Sequence, residues 1–236
     1  MRFDAPLIPA RLLKRYKRFL TDVELANGET LTAVCPNTGS LMGCATPGSP
    51  VWLSHSNAPN RKYAHTWELV EVIPHTIVGI NTQMSNRLVE EAILNQTIEE
   101  LQGYDAPARE VRYGSENSRI DFLFRSDNLP ACFVEVKNVT AAVSNGIALF
   151  PDAVSERGAK HLRELMQEVK RGNRAVLVFC VQRGDVSEVR PADQIDSVYG
   201  ETLREAISQG VEALAYLALV SPLEIRLVRG IPVVCP

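Results

Sequence analysis

With 236 residues, 45% of them hydrophobic and 22% charged, the chain is long enough for one large domain or two modest ones and too apolar for disorder. Its formal net charge of −3 gives no overall attraction to polyanions, so contact with nucleic acid requires a local basic surface. Five scattered cysteines without a C-x-x-C pair, no signal-like segment and no apolar stretch of membrane-spanning length point to a reduced, cytoplasmic protein that contacts no membrane. The histidines do not stand at ligand spacing from the cysteines, which argues against structural zinc.

In chain order, a basic cluster comes first: Arg11, Lys14, Arg15, Lys17 and Arg18 occur without an intervening acid. Such a cluster can neutralise phosphates, although a solvated face is the commoner explanation. Residues 19–25 alternate, Asn27-Gly28 signals a hairpin turn, and 31–35 return as a strand. After a Gly- and Pro-rich stretch, 51–53, 67–73 and 76–80 supply further short strands. Five strands of this kind suit a small OB-like β-barrel, while SH3-like barrels and sandwiches fit the same pattern. Tyr16, Trp52, Tyr63 and Trp67 are candidates for base stacking, core packing being the usual fate of such residues.

The pattern changes near residue 82, dividing the chain into 1–82 and 83–236. Ser85-Asn86 offers an N-cap, and 88–101 carries apolar residues at helical spacing. Strands are expected at 109–113, 118–124 and 132–137, then a helix at about 155–171, a buried strand at 175–181, a helix at about 201–209 and two apolar segments, 214–220 and 225–228. This order describes a mixed α/β sheet flanked by helices.

Asp121 lies in the strand 118–124, and Glu135-Val136-Lys137 closes the next apolar run. Side chains alternate along a strand, so Glu135 and Lys137 share a face, and a hairpin would bring Asp121 to Glu135. Two carboxylates suit Mg²⁺ or Mn²⁺, with the carbonyl of Val136 as a further oxygen ligand and Lys137 to orient water or offset phosphoryl charge. Of the adjacent Glu90 and Glu91, Glu91 is the expected fourth catalytic residue, one turn after Leu88. Arg157, Lys160 and His161 open a helix whose N-terminus also favours phosphate. A Glu-x-Lys pair on a half-exposed strand is the plain alternative, and the helix–three strands–helix–strand order tips the balance towards a site.

That order, with Asp on the second strand and Glu-x-Lys on the third, resembles the PD-(D/E)-x-K nuclease superfamily, with Ile120 where a proline usually precedes the aspartate. Longer segments are similar to the sugar fermentation stimulation protein A (SfsA) family: residues 15–20, Cys35-Pro36-Asn37-Thr38-Gly39, 61–68, 118–122, Glu135-Val136-Lys137, and 150–153 through 157–162. The resemblance implies an N-terminal OB-like domain, a restriction-endonuclease-like domain after it, non-specific DNA binding and an association with sugar, notably maltose, metabolism. Its segments add Arg61 and Lys62 to Arg15, Lys17, Arg18, Arg157, Lys160 and His161 as DNA-contacting candidates. Two functions follow: a divalent-metal-dependent nuclease, or a DNA-binding regulator without cleavage. With no base-reading motif, binding should rest on phosphates and weaken with salt. Oligomeric state, a homodimer included, is left open.

Overall fold

The computed structural model describes residues 1–72, 75–143 and 145–236. Six strands build the first unit: β1 (Ile8–Tyr16), β2 (Leu20–Leu25), β3 (Thr30–Val34), β4 (Pro50–His55), β5 (His65–Val72) and β6 (Thr76–Gly79). Their order is β3-β2-β1-β4-β5-β6, and a β3–β5 contact at Val34 and Thr66 closes the barrel. The Asn27-Gly28 hairpin forms as expected, with Gly28 at φ +83, where a Cβ would be strained. Alternating inward residues, among them Leu12, Val23, Ala33, Val51, Leu53, Trp67 and Val70, fill the interior. β1 is an addition to the five strands read from sequence, and the basic cluster lies on it and on the turn that follows. Ile73, the end of the expected strand 67–73, lies outside the described residues.

The second unit has a six-stranded sheet in the order β15-β14-β12-β9-β8-β7. Its members are β7 (Ala108–Tyr113), β8 (Ser118–Phe124), β9 (Cys132–Val139), β12 (Arg174–Val181), β14 (Glu212–Val220) and β15 (Ile225–Ile231). β12 runs parallel to β9 and β14, and the other pairs are antiparallel, so the sheet is mixed. Helix α1 (Ser85–Leu94) covers one face, packing Leu88, Val89 and Ala92 with Phe122, Val134 and Val178. Helices α2 (Glu156–Lys170) and α3 (Ser197–Ser208) cover the other, with Leu162, Leu165 and Leu203 against Leu123, Phe133 and Phe179. Both faces of the central strands are therefore dry, which explains the unbroken apolar run of β12. β10 (Ala142–Val143), β11 (Ile147–Phe150) and β13 (Glu188–Pro191) form a small accessory sheet that the sequence reading does not contain.

Two local differences bear on the site. The helix expected over 88–101 stops at Leu94, because Asn95 Oδ1 accepts from the backbone and hydroxyl of Thr97 and Gln96 turns to φ +64; a 3₁₀ turn, Glu99–Leu101, follows. At the other end Ser85 is a helical residue rather than the N-cap. Asn81 instead caps a preceding 3₁₀ turn through Gln83 N–H, which frees the Ser85 hydroxyl to reach Asn138. The chain start belongs structurally to the second unit: Arg2 bridges to Glu224, Phe3 N–H bonds Leu223 O, and Leu7 packs in the α1-side core.

Candidate active site

The backbone pairing of β8 with β9 runs from Phe124 and Cys132 to Phe122 and Val134 and goes no further. Strand alternation breaks at the same place, since Ile120 packs in the α2-side core and Phe122 in the α1-side core. Asp121 stands at this parting of the strands. Its Oδ2 accepts from Val136 N–H at 2.7 Å, taking the place of a strand partner, and its Oδ1 accepts from Asn86 Nδ2 of α1 at 2.8 Å. Burial pushes the Asp121 carboxyl up to about 6, and the negative charge of Glu135 acts in the same direction, against the donations from Val136 and Asn86.

Glu135 is 3% exposed. Burial alone would raise its carboxyl, but the Lys137 ammonium and a hydrogen bond from His161 outweigh that and hold it below the usual range. Lys137 Nζ donates to Glu135 Oε1 at 2.7 Å, and His161 Nδ1 meets the same oxygen. Arg157 Nε donates to His161 Nε2 at 3.3 Å, so Nε2 is the acceptor and Nδ1 carries the proton that Glu135 receives. All of this engages Oε1. Among the described residues, Glu135 Oε2 is buried without a hydrogen-bond partner.

A buried, unpaired carboxylate oxygen is costly unless something outside the chain completes it. Together with Asp121, whose two oxygens each keep a free lone pair, it offers hard donors of the kind Mg²⁺ and Mn²⁺ take alongside several waters. Among the described residues there is no cluster of three or more Asp, Glu, His or Cys arranged for a metal, so the fit is to a cation that keeps much of its water. Val136 contributes its N–H to Asp121, which fixes the second carboxylate.

Beside these groups opens a cleft of about 390 Å³ whose walls come from both units: Asn37, Thr38 and Gly39 on one side, Asn86, Lys137 and Asp152 among those on the other. The barrel wall is tied down at several points. Arg15 donates to the carbonyls of Asn37, Gly39, Ser40 and Arg18, and Arg18 Nε donates to Thr38 O. Asp152 Oδ2 accepts from Leu41 N–H at 3.1 Å, and its carboxylate packs where a side chain on Gly39 would be. Residues 35–39 and 150–153, far apart in sequence, thus meet as one clamp between the units.

Several expected roles change. Glu91 pairs with the amino group of Met1 at 2.7 Å and Glu90 with Arg109; the α1 residue that reaches the site is Asn86, in the first turn. Arg15 gives its two terminal guanidinium nitrogens to carbonyls of the 37–40 loop and of Arg18, whereas exposed Arg18 commits only its Nε, to Thr38 O. His161 is buried and serves Glu135, Arg157 serves His161, and Lys160 binds the carbonyl of Glu116. Arg61 donates to Thr66 and Lys62 lies over the Tyr63 ring, whereas Lys17 is exposed on the β1–β2 turn. Trp67 is fully buried with its indole N–H on Leu69 O and so is not free to stack, while half-buried Tyr16 donates its hydroxyl to Asp22. Trp52 packs against the α1-side core.

Comparison with known proteins agrees with this architecture. Residues 13–80 match the family model described as the SfsA N-terminal OB domain, and residues 83–224 that of the sugar fermentation stimulation protein RE domain. The sugar fermentation stimulation protein homolog of Thioalkalivibrio sulfidiphilus is 62% identical over 94% of this chain and 93% of its own. That of Alkalilimnicola ehrlichii is 55% identical over the full length of both. The solved structure of Pyrococcus furiosus SfsA in complex with Ca²⁺ has the same fold, with a TM-score of 0.89 at 28% identity, covering 99% of this chain and 98% of that one.

Proposed function

This chain belongs to the sugar fermentation stimulation protein (SfsA) family, and on that premise we propose that it is a DNA-binding protein whose second unit hydrolyses phosphodiesters with the help of a divalent cation. The observation that carries this reading is the buried, unpartnered Oε2 of Glu135 beside Asp121 and Lys137. The Ca²⁺ in the Pyrococcus furiosus relative supports a divalent cation as the missing partner. Asp121 and Glu135 would hold Mg²⁺ or Mn²⁺, which when bound supplies Lewis acidity towards the phosphoryl oxygens.

The chain's own groups do the rest. Asn86 and the Val136 N–H fix the Asp121 carboxylate, and the Arg157–His161 pair fixes Glu135. Lys137 uses one of its three donors on Glu135 and faces the cleft, where the others can orient a water or meet the charge that develops on the phosphoryl group. The tied-down 37–40 loop walls the cleft on the barrel side, so the substrate lies between the units. The link to sugar metabolism carried by the family name then lies downstream of contact with DNA.

The test is cleavage of single- and double-stranded DNA and RNA with Mg²⁺ or Mn²⁺ and with EDTA. Wild type should cut only with the metal, and Asp121→Ala and Lys137→Ala should each lose on the order of a hundredfold or more. Cleavage surviving unchanged in both variants would overturn the assignment; metal-independent binding without cleavage would leave a DNA-binding regulator.

A further inference from the structure

Most arginines of this chain have a partner: Arg109 pairs with Glu90, Arg163 with Glu116, Arg174 with Glu212, Arg183 with Asp185, Arg190 with Glu188 and Arg204 with Asp193. Arg112 and Arg119 depart from this pattern. They face each other as direct partners across β7 and β8, both are exposed, and among the described residues neither has a hydrogen bond or ion pair. Like charges placed opposite each other on an antiparallel pair repel, and among the described residues no ion pair offsets the repulsion. Their neighbours Val111 and Ile120 pack on the α2-side core, which turns both arginines to the opposite face, the side from which α1 delivers Asn86 to Asp121. Arg119 stands two residues before Asp121, roughly 7 Å along the strand.

The scaffold beneath the pair is rigid. Glu164 of α2 accepts from the backbone N–H groups of Ser115 and Glu116, and Arg163 and Lys160 grip Glu116, so the turn joining β7 to β8 is held at several points. Glu110, skipped in the pairing of β7 with β8, adopts φ +53 and distorts β7 just before Arg112. Two guanidinium forks on one fixed hairpin, unpaired and next to a carboxylate site, suit a doubly coordinated phosphate oxygen pair.

We propose that Arg112 and Arg119 form a clamp for a phosphodiester of the nucleic-acid backbone next to the one presented to Asp121 and Glu135. The inference rests on the function proposed above for that site, yet it can be read without cleavage. Equilibrium binding of short single-stranded and duplex DNA is measured in EDTA over a salt series for wild type, Arg112→Ala/Arg119→Ala, Arg112→Lys/Arg119→Lys, and a control, Arg125→Ala/Arg229→Ala. The control removes two exposed arginines that likewise have no partner among the described residues and lie away from the β7–β8 turn.

The clamp predicts that the Arg112→Ala/Arg119→Ala variant binds on the order of tenfold or more weaker and that its slope of log affinity against log salt falls by about one to two. The lysine variant keeps most of the slope, because charge is retained, and loses part of the affinity with the fork geometry. The alanine variant should unfold at or above the wild-type temperature, since it relieves the repulsion. Equal weakening in the control, no weakening in the alanine variant, or no DNA binding by wild type overturns the clamp. Binding that follows these expectations without Asp121-dependent cleavage leaves the clamp standing and removes the nuclease reading instead.

Discussion

The barrel and the mixed sheet each bury a glutamate, and they treat it differently. In the barrel Glu68, 6% exposed, has both oxygens served by neutral donors: Ser54 Oγ to Oε1 at 2.6 Å and Asn81 Nδ2 to Oε2 at 2.8 Å. In the sheet Glu135 has a lysine and a histidine on one oxygen and nothing on the other. Position within the second unit does not explain this, because Glu164 and Glu168 are equally buried there and each has donors on both oxygens. A carboxylate that only holds structure together is closed off, since every unmet lone pair in a dry place costs free energy. Glu135 is charged, compensated from one side and left open on the other, which is the arrangement a site needs and a core does not.

The largest effect expected from this contrast is on turnover. Glu135→Gln should lower metal-dependent cleavage by on the order of a hundredfold or more, whereas Glu68→Gln, equally conservative and equally buried, should leave the rate of the folded protein unchanged. Single-turnover rates at saturating Mn²⁺ separate the two. Equal losses in both variants would mean that the open oxygen of Glu135 has no special role.

Next comes a dependence on pH that only the sheet should show. Burial and the charge of Glu135 raise Asp121 from its ordinary 3.8 to about 6 in the folded protein. Between these values the folded state holds a proton that the unfolded state has released. The resulting stability is complete below about 3.8 and is lost as pH rises through about 6, a change of about 2 to 3 kcal/mol. Urea unfolding of metal-free wild type and Asp121→Asn isolates it: the variant should gain on wild type across this window and run parallel outside it. A flat difference between the two would remove the coupling of Asp121 to its buried surroundings.

A smaller effect is expected at His161. It touches no substrate and acts through Glu135, so His161→Ala should cost about ten- to a hundredfold in metal affinity or rate, with the folded protein intact. His161→Asn, which can keep one N–H donor, should recover part of it. Titration with Mn²⁺ followed by thermal stability gives the affinity directly, and a variant whose only change is a lower unfolding temperature would make His161 a packing residue.

What could be read from the sequence follows the range of the contacts involved. Glu135 and Lys137 are readable because strand alternation puts them on one face, and Asp121 because a short connection folds β8 back beside β9; the Asn27-Gly28 turn makes the barrel readable in the same local way. β1 was obscured because Leu12 is its one fully buried side chain among many charged ones, so no alternation stands out. Between Glu90 and Glu91 the helical spacing favours Glu91, on the premise that a metal site recruits an acid from the helix; α1 instead sends Asn86 of its first turn to Asp121, and Glu91 pairs with the amino group of Met1. His161 reads as one of the basic residues that open α2, although its neighbours Leu162 and Leu165 mark the buried stripe of that helix. The clamp between Asp152 and the 37–41 loop joins residues more than a hundred positions apart, and nothing local announces it.

Glu68 itself was invisible, an acid between Trp67 and Leu69 that reads as the solvent side of an alternating strand. Its test is the mildest and bears on the closed half of the comparison. Glu68→Gln keeps one acceptor and replaces the other with a donor, so either Ser54 or Asn81 is left facing an N–H group. The expected loss is about 1 kcal/mol in urea unfolding, with an unchanged dependence on denaturant. Because Asn81 also accepts from Gln83 N–H and receives Gln182 Nε2 on its carbonyl, the loosened contact lies at the joint between barrel and sheet. Mn²⁺ should stabilise this variant by as much as it stabilises wild type, since the cation completes Glu135 and has nothing to complete at Glu68. A smaller Mn²⁺ effect in Glu68→Gln would show that the two buried carboxylates are coupled through that joint, and the barrel would then take part in shaping the site.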